Sequence, residues 1–477
     1  MHAILSRAFR FVKVGFITLG CDKNTVDTER YLAQLVGCGA EPVVDLIEAD
    51  VIVVNTCGFV DAAKRESIDA IVEAGRLKAE GSCRAIVAVG CMVERHRSEL
   101  EDALPEVDLF LGSSQVDRLI PELGARGLIT DAPTLHPGER YYSGDLPHVR
   151  YLKVSEGCDH GCAFCAIPLM RGRHRSFALP EVVAEAQLLE AQGAREVNLV
   201  AQDLAHYGRD RRDGVELPEL LEALVAETNI AWLRMLYLYS TGITSRLLEV
   251  VAKEPRILRY IDMPIQHASD VVLARMRRPE RQGTIRERVA RYRDAVPDVA
   301  IRTTCIVGYP GETGEDVERL ADFLEEMQFE RVGVFAYSPQ EGTRAFALAD
   351  DVPDDVKRDR VERVTELQRA ITAERYERYV GRVAQAIVDR PASGPEWAPA
   401  RHAQARFPWQ ADDIDGVTHL ALPSEAPPGS LVEARVENVV DDYDFSATAL
   451  RVLSAPPAPK LSRRLPLVSA TIGSFGR

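Results

Sequence analysis

A chain of 477 residues exceeds what one ordinary hydrophobic core organises, so roughly two to four domains are expected. Hydrophobic residues at 46% and charged residues at 27% exclude a fibrous or mainly disordered protein. The formal net charge of -15 argues against a general nucleic-acid binder, whose phosphate contacts demand a surplus of Lys and Arg, and makes a basic partner more natural.

No apolar run reaches the length of a bilayer. The basic start, residues 1–13, lacks the apolar core and cleavage site of a signal peptide, so a cytoplasmic protein without a membrane partner is expected. In that reducing compartment the nine cysteines read as metal ligands, reactive groups or buried thiols rather than disulfides.

From residue 14 the pattern is strand, helix, strand. The apolar run 14–19 ends at Gly20-Cys21, and a helix follows with Val26, Leu32, Leu35 and Val36 on one face before Gly37 stops it. The run 51–54 opens onto Asn55, Thr56 and Cys57, and the run 86–89 onto Gly90-Cys91. Three strands thus end at a cysteine, and in an open parallel sheet the carboxyl ends of the strands form the ligand crevice, where Cys21, Cys57 and Cys91 could converge. Three buried thiols would satisfy the same pattern, since free Cys is often core. Glycines at 20, 58 and 90 let backbone pass close to something bulky.

Residues 128–146, rich in Pro, Gly and Asp, read as a linker. Apolar runs at 151–154, 197–200, 233–238, 261–265, 301–307 and 332–335 then alternate with amphipathic helices. Six strand-helix repeats predict a partial (β/α)6 TIM-like barrel with its chemistry at the carboxyl ends of the strands. A charged helix over 354–379 leads to strands at 384–388, 417–422 and 431–440, which predict a small antiparallel β-barrel. From residue 455 a mobile tail is expected.

The sharpest motif is Cys158-Asp-His-Gly-Cys162-Ala-Phe-Cys165, directly after the first barrel strand. Three thiolates on one short loop hold three irons of a cubane cluster and leave the fourth open. The competing reading is a zinc site completed by His160. Phe164 would pack near the cluster or simply fill the loop. Further polar and small residues fall at or near strand ends: Gln202 and Asp203, Arg234, Gln266 with His267, Gly308 and Tyr337.

The CxxxCxxC loop resembles the radical S-adenosylmethionine (SAM) superfamily. That resemblance implies that the open iron chelates SAM and that Gln202 and Asp203 lie where a polar pair would bind its amino group, with Phe164, Arg234, Gln266, Gly308 and Tyr337 as further cofactor contacts. It sharpens with Cys21-Asp-Lys-Asn24, Asp27 and Glu29, Val54-Asn-Thr-Cys57-Gly-Phe59, Gly90-Cys91, Arg171-Gly-Arg173, Arg175-Ser176, Met263-Pro-Ile-Gln-His267 and Tyr309-Pro-Gly-Glu-Thr313. Together these are similar to the methylthiotransferase family over roughly residues 14–450.

The family implies an amino-terminal domain (14–127), a radical SAM domain (144–375) and a TRAM domain (376–452), followed by the tail at 453–477. It also implies two 4Fe-4S clusters, with Cys21, Cys57 and Cys91 ligating one and Cys158, Cys162 and Cys165 the other. Cys158 is then required for SAM cleavage and Cys57 for sulfur insertion, while Cys38, Cys83 and Cys305 match no ligand position.

Members act on transfer-RNA adenosines or on an aspartate of the small-subunit ribosomal protein S-twelve, and Lys23-Asn24 resembles the ribosomal-protein branch. The acidic run containing Asp412, Asp413, Asp415, Glu425, Glu433, Glu437, Asp441, Asp442 and Asp444 suits a basic protein substrate. Arg171, Arg173, His174 and Arg175, with Arg275, Arg277 and Arg278, offer instead a local RNA contact or a site for carboxylates. The implied partners are S-twelve, in the ribosome or an assembly intermediate, a flavodoxin-like or similar electron donor, and a sulfur donor. An iron-sulfur electron carrier without catalysis is the alternative from another class, and the barrel-sized second domain argues against it.

Overall fold

The computed structural model describes residues 12–129, 140–391 and 402–460. Two compact units are present. The first holds the described residues up to Asp145 together with Leu169–Arg171, and the second holds Leu146–Pro168 and the described chain from Gly172 onward. Part of the expected linker (130–139) and most of the expected tail (461–477) lie outside the described residues. No helix among the described residues is long and apolar enough to cross a membrane.

The first unit is a parallel sheet of β1 (Val12–Thr18), β2 (Ala40–Pro42), β3 (Val51–Thr56), β4 (Ala85–Gly90) and β5 (Leu109–Gly112), in the order β2-β1-β3-β4-β5. β3 and β4 are buried along their whole length, as unbroken Val and Ile runs in a sheet covered on both faces require. Helices α1 (Asp22–Gly37), α2 (Asp61–Glu80) and α3 (Cys91–Ala103) complete the layers. α1 buries Val26, Leu32 and Leu35 as expected, with Val36 only half-buried and Tyr31 taking the remaining core position. The edge strands β2 and β5 escape sequence reading because they are three and four residues long, too short for a period to register.

In the second unit the strands β6 (Val149–Lys153), β9 (Glu196–Val200), β10 (Trp232–Met235), β11 (Tyr260–Asp262), β12 (Ala300–Val307) and β13 (Arg331–Ala336) occupy the six expected runs, with a two-residue hairpin of β7 (Ser155–Glu156) and β8 (Arg175–Ser176) beside the cysteine loop. The six form two parallel three-stranded sheets, β10-β9-β6 and β11-β12-β13. β10 and β11 stop short of the expected residues 238 and 265. Backbone at Tyr237 turns into the left-handed region (φ 63°) after β10, and beyond β11 only Gln266 (φ 72°) rejoins β12, in an isolated bridge to Cys305.

After a helix at Asp354–Tyr376, strands β14 (Val383–Pro391), β15 (His402–Arg406), β16 (Thr418–Ala421), β17 (Leu431–Val440) and β18 (Asp444–Ser454) close a barrel in the order β14-β15-β16-β18-β17. The expectation of an antiparallel barrel needs one correction, because β16 and β18 pair in parallel. A hairpin between β17 and β18 returns the chain beside β16 in the same direction, which sequence patterning does not record.

Residues 407–415 pack against the strands of the two three-stranded sheets. Ala411 shares a buried cluster with Trp232, Tyr260 and Ala300. Asp412 accepts from Tyr151 Oη and Asn198 Nδ2, both at 2.8 Å, and Asp415 accepts from Tyr260 Oη at 2.5 Å. Beneath them Glu196 binds Arg234 at 2.8 Å and Arg406 at 2.7 Å, Arg406 binds Asp389, and Asp389 binds His148. Two of the acidic residues expected on a surface are therefore structural and buried, while Glu433 and Asp442 pair with Arg451 and Arg369.

Candidate active site

In the first unit all three strand-end cysteines lie at the carboxyl edge of the sheet. Cys21 caps α1, Cys57 directly follows β3, and Cys91 is the first residue of α3. Two of the three thus sit at helix amino termini, where the dipole favours a thiolate. The bulky neighbours that the glycines accommodate are the cysteine loops themselves. A Cβ on Gly20, whose φ is 93°, would lie 3.0 Å from Cys57 Sγ, and one on Gly58 would lie 2.8 Å from Met92 Cα.

Asn24 and Asn55 stitch these loops together. Asn24 Nδ2 donates to the carbonyls of Leu19 (2.7 Å) and Thr56 (3.2 Å), and Asn55 Nδ2 donates to Asn24 O (2.9 Å) and Thr28 Oγ1 (3.0 Å). Burial pushes the Cys57 thiol up to about 11 and the Cys91 thiol up to about 12, and Cys91 also senses Cys21 and Cys57. Such thiols remain neutral until a metal displaces their protons.

In the second unit the CxxxCxxC loop follows β6 and is tied down by backbone. Cys158 N–H donates to Gly172 O, Ala163 N–H to Met276 O, and Ala345 N–H to Ala163 O. Cys158 is raised to about 11 and Cys165 to about 12, again chiefly by burial, and Cys165 senses both other loop thiols.

His160 is engaged through one of its two ring nitrogens. Its Nε2 lies 2.6 Å from Asp203 Oδ2, and its ring stacks on Tyr239 at 3.7 Å and 10°. His206 Nδ1 rests against the same Asp203 oxygen, while Asp203 Oδ1 accepts from Ala205 N–H and Tyr239 N–H. Burial opposes ionisation of Asp203, but the two imidazoles outweigh it and hold the carboxyl below its usual range. Among the described residues this His–Asp–His trio is the one group of His, Cys, Asp or Glu compact enough for a single ion. The trio itself works as a clamp on the cysteine loop, since one oxygen already serves both rings.

The cofactor candidates separate into two kinds. Gln202 Nε2 donates to Glu156 Oε1 at 2.9 Å, and its Oε1 is buried without a protein partner. Tyr337 is buried with its hydroxyl likewise unpartnered, in the same apolar cluster as Phe164. Gln266 lies at the strained turn after β11. These are positions from which a ligand can be met.

Arg234 and Gly308 are different. The Arg234 guanidinium is sealed in the ion network, donating to Glu196 and to the carbonyls of Pro408 and Gln410, so it has no group left for a cofactor. Gly308 (φ 74°) makes room for Lys357, whose Cγ would lie 2.4 Å from an added Cβ.

The two basic clusters divide, with Arg173, Arg175, Arg275 and Arg277 exposed. Arg171 and Arg278 are buried, Arg173 is exposed beside Asp159, and Arg275 donates to Gly311 O. Arg278 lies over the Tyr239 ring at 4.0 Å, pairs with Glu280 and points Nη1 at Cys162 Sγ from 3.8 Å. Tyr239 carries no motif that sequence reading could have caught.

Residues 13–112 match the family described as Uncharacterized protein family UPF0004, and residues 152–324 match the Radical SAM superfamily. The chain is 45% identical to the ribosomal protein uS12 methylthiotransferase RimO of Anaeromyxobacter sp. (strain Fw109-5), over 94% of this chain and 98% of that one. It is 40% identical to the RimO of Geobacter sulfurreducens, over 91% and 97% respectively. Among solved structures, the radical SAM methyltransferase TsrM of Kitasatospora setae, with tryptophan and a SAM analogue bound, superposes with a TM-score of 0.52 at 14% identity, over 68% of this chain and 72% of that one. That likeness supports the shared fold, and near-complete coverage at this identity places the chain among the uS12 methylthiotransferases of the radical SAM superfamily.

Proposed function

We propose that this protein replaces a hydrogen on the β-carbon of an aspartate in ribosomal protein uS12 with a methylthio group. The observation that carries this reading is the presence, in one chain, of two separate three-cysteine sets, one at the carboxyl ends of parallel strands and one on the single loop after β7, in a sequence that matches uS12 methylthiotransferases over 94% of its length. Residues 14–127, 144–375 and 376–452 are assigned to the amino-terminal, radical SAM and TRAM domains.

In this reading Cys158, Cys162 and Cys165 hold one 4Fe-4S cluster with an iron open to SAM, and Cys21, Cys57 and Cys91 hold the second. When bound, these groups supply the deoxyadenosyl radical that takes a hydrogen from an unactivated carbon, which general-base chemistry cannot do, and the sulfur that replaces it. The protein positions and shields. Asp203 fixes the cysteine loop through His160. Gln202 Oε1 and the Tyr337 hydroxyl are the best supported SAM contacts, because a buried unpaired polar atom costs about 1–3 kcal/mol until a ligand pairs it. Phe164 adds apolar surface beside Tyr337, and Gln266 completes the set.

In this reading the reaction runs in the cytoplasm, on uS12 within the ribosome or an assembly intermediate, with a flavodoxin-like or similar electron donor and a sulfur donor. The transfer-RNA alternative is not favoured, because the relatives that the chain matches over nearly its whole length are uS12 methylthiotransferases. Intact-mass measurement of uS12 from strains with and without the gene tests the proposal. The methylthio mass should vanish with the gene while methylthioadenosine in transfer RNA stays constant. The reverse pattern would refute it.

A further inference from the structure

Arg171 belongs to the first unit and is almost completely enclosed there, its side chain 4% exposed. Its Nε lies 3.0 Å from Cys91 Sγ, its Nη1 2.6 Å from Asp27 Oδ2 and its Nη2 2.5 Å from Asn24 Oδ1. Asn24 is itself pinned by its bonds to Leu19 and Thr56, and the preceding Met170 carbonyl accepts from Ser113 Oγ. The guanidinium therefore has three fixed anchors and no freedom to turn toward a substrate. Its planar fork suits that role better than the point charge of a lysine.

An N–H aimed at a ligand sulfur, and a cation held beside it in a poorly solvated site, both favour the more negative of two cluster oxidation states. Asp27 works in the opposite sense, because its carboxylate partly neutralises the same guanidinium. We propose that Arg171, opposed by Asp27, sets the reduction potential of the cluster held by Cys21, Cys57 and Cys91. Arg171 is then a positioning residue acting through the Cys91 sulfur, and this rests on the assignment of those three cysteines as cluster ligands.

The test uses full-length protein carrying Cys158→Ala, Cys162→Ala and Cys165→Ala, so that only the amino-terminal cluster remains, reconstituted anaerobically and assayed for iron and sulfide. Its midpoint potential is followed by electron paramagnetic resonance. Adding Arg171→Met should lower the potential, Arg171→Lys should lower it less, and Asp27→Asn should raise it.

A merely structural role predicts no such opposition of sign. Unchanged potentials, or shifts in the same direction for Arg171→Met and Asp27→Asn at full iron content, overturn the proposal. If Arg171→Met fails to hold a cluster, Arg171→Lys and Asp27→Asn decide the question by the sign of their shifts. Absence of iron from the parent with the loop cysteines replaced would instead refute the ligand assignment itself, and the two failures are told apart by the iron assay.

Discussion

Arg234 Nε lies 2.8 Å from Glu196 Oε1 with both side chains fully removed from solvent. Arg234 Nη1 and Nη2 end on the carbonyls of Pro408 and Gln410. A residue whose place on a barrel strand marks it as a cofactor contact is thus part of the joint between the radical SAM strands and the carboxyl-terminal barrel.

Replacing one member of a buried ion pair strands the other, at a cost of roughly 3–5 kcal/mol. Arg234→Met should therefore lower the denaturant midpoint strongly, while the fraction that folds still binds SAM. Unaltered stability together with lost SAM binding would reassign Arg234 to the cofactor site.

Burial raises the Asp412 carboxyl to about 7, against its ordinary 3.8, with Arg406 opposing and Glu196 adding to the shift. A folded-state value above the unfolded one means that the stabilising contribution is complete below about pH 4 and is lost as pH rises toward 7, at about 1.4 kcal/mol per unit. Asp412→Asn cannot ionise, and Asn198, whose Oδ1 is unpaired, can turn its amide to accept from it. The stability of the variant relative to wild type should grow between about pH 4 and 7 and level off above. Urea midpoints across that window check this, and a pH-independent difference would show that the carboxyl is ionised in the fold.

The Asp203–His160 contact braces the loop that carries Cys158, Cys162 and Cys165, which the proposed function assigns as cluster ligands, and supports of that kind commonly contribute 10- to 100-fold, in rough terms, to metal affinity. Asp203→Ala should release iron to a chelator about that much more readily, with Asp203→Asn intermediate. Equal iron retention in wild type and Asp203→Ala would mean that the backbone ties alone hold the loop.

The two cysteine sets should separate by assay. Cys158→Ala is expected to abolish release of deoxyadenosine, whereas Cys57→Ala keeps that release and forms no methylthio product. Product from the Cys57 variant would contradict the division of labour between the sets.

Much of the fold is legible in the chain because period and punctuation are local properties. The unbroken apolar runs that become β3 and β4, the six barrel runs and the spacing of Cys158, Cys162 and Cys165 each follow from a few consecutive residues. The same local signals place Cys21, Cys57 and Cys91 at strand ends.

Partnership is not local, and here only the tertiary structure decided. Asp412 and Asp415 read as surface acid until the chain brings Tyr151, Asn198 and Tyr260 against them. Arg171 and Arg278 read as basic patch residues until each is buried beside a cysteine. The parallel pairing of β16 with β18 depends on where a hairpin returns. A charge is free or paired according to what lies opposite it in space, and residues separated by tens to hundreds of positions meet only after the chain has closed around them.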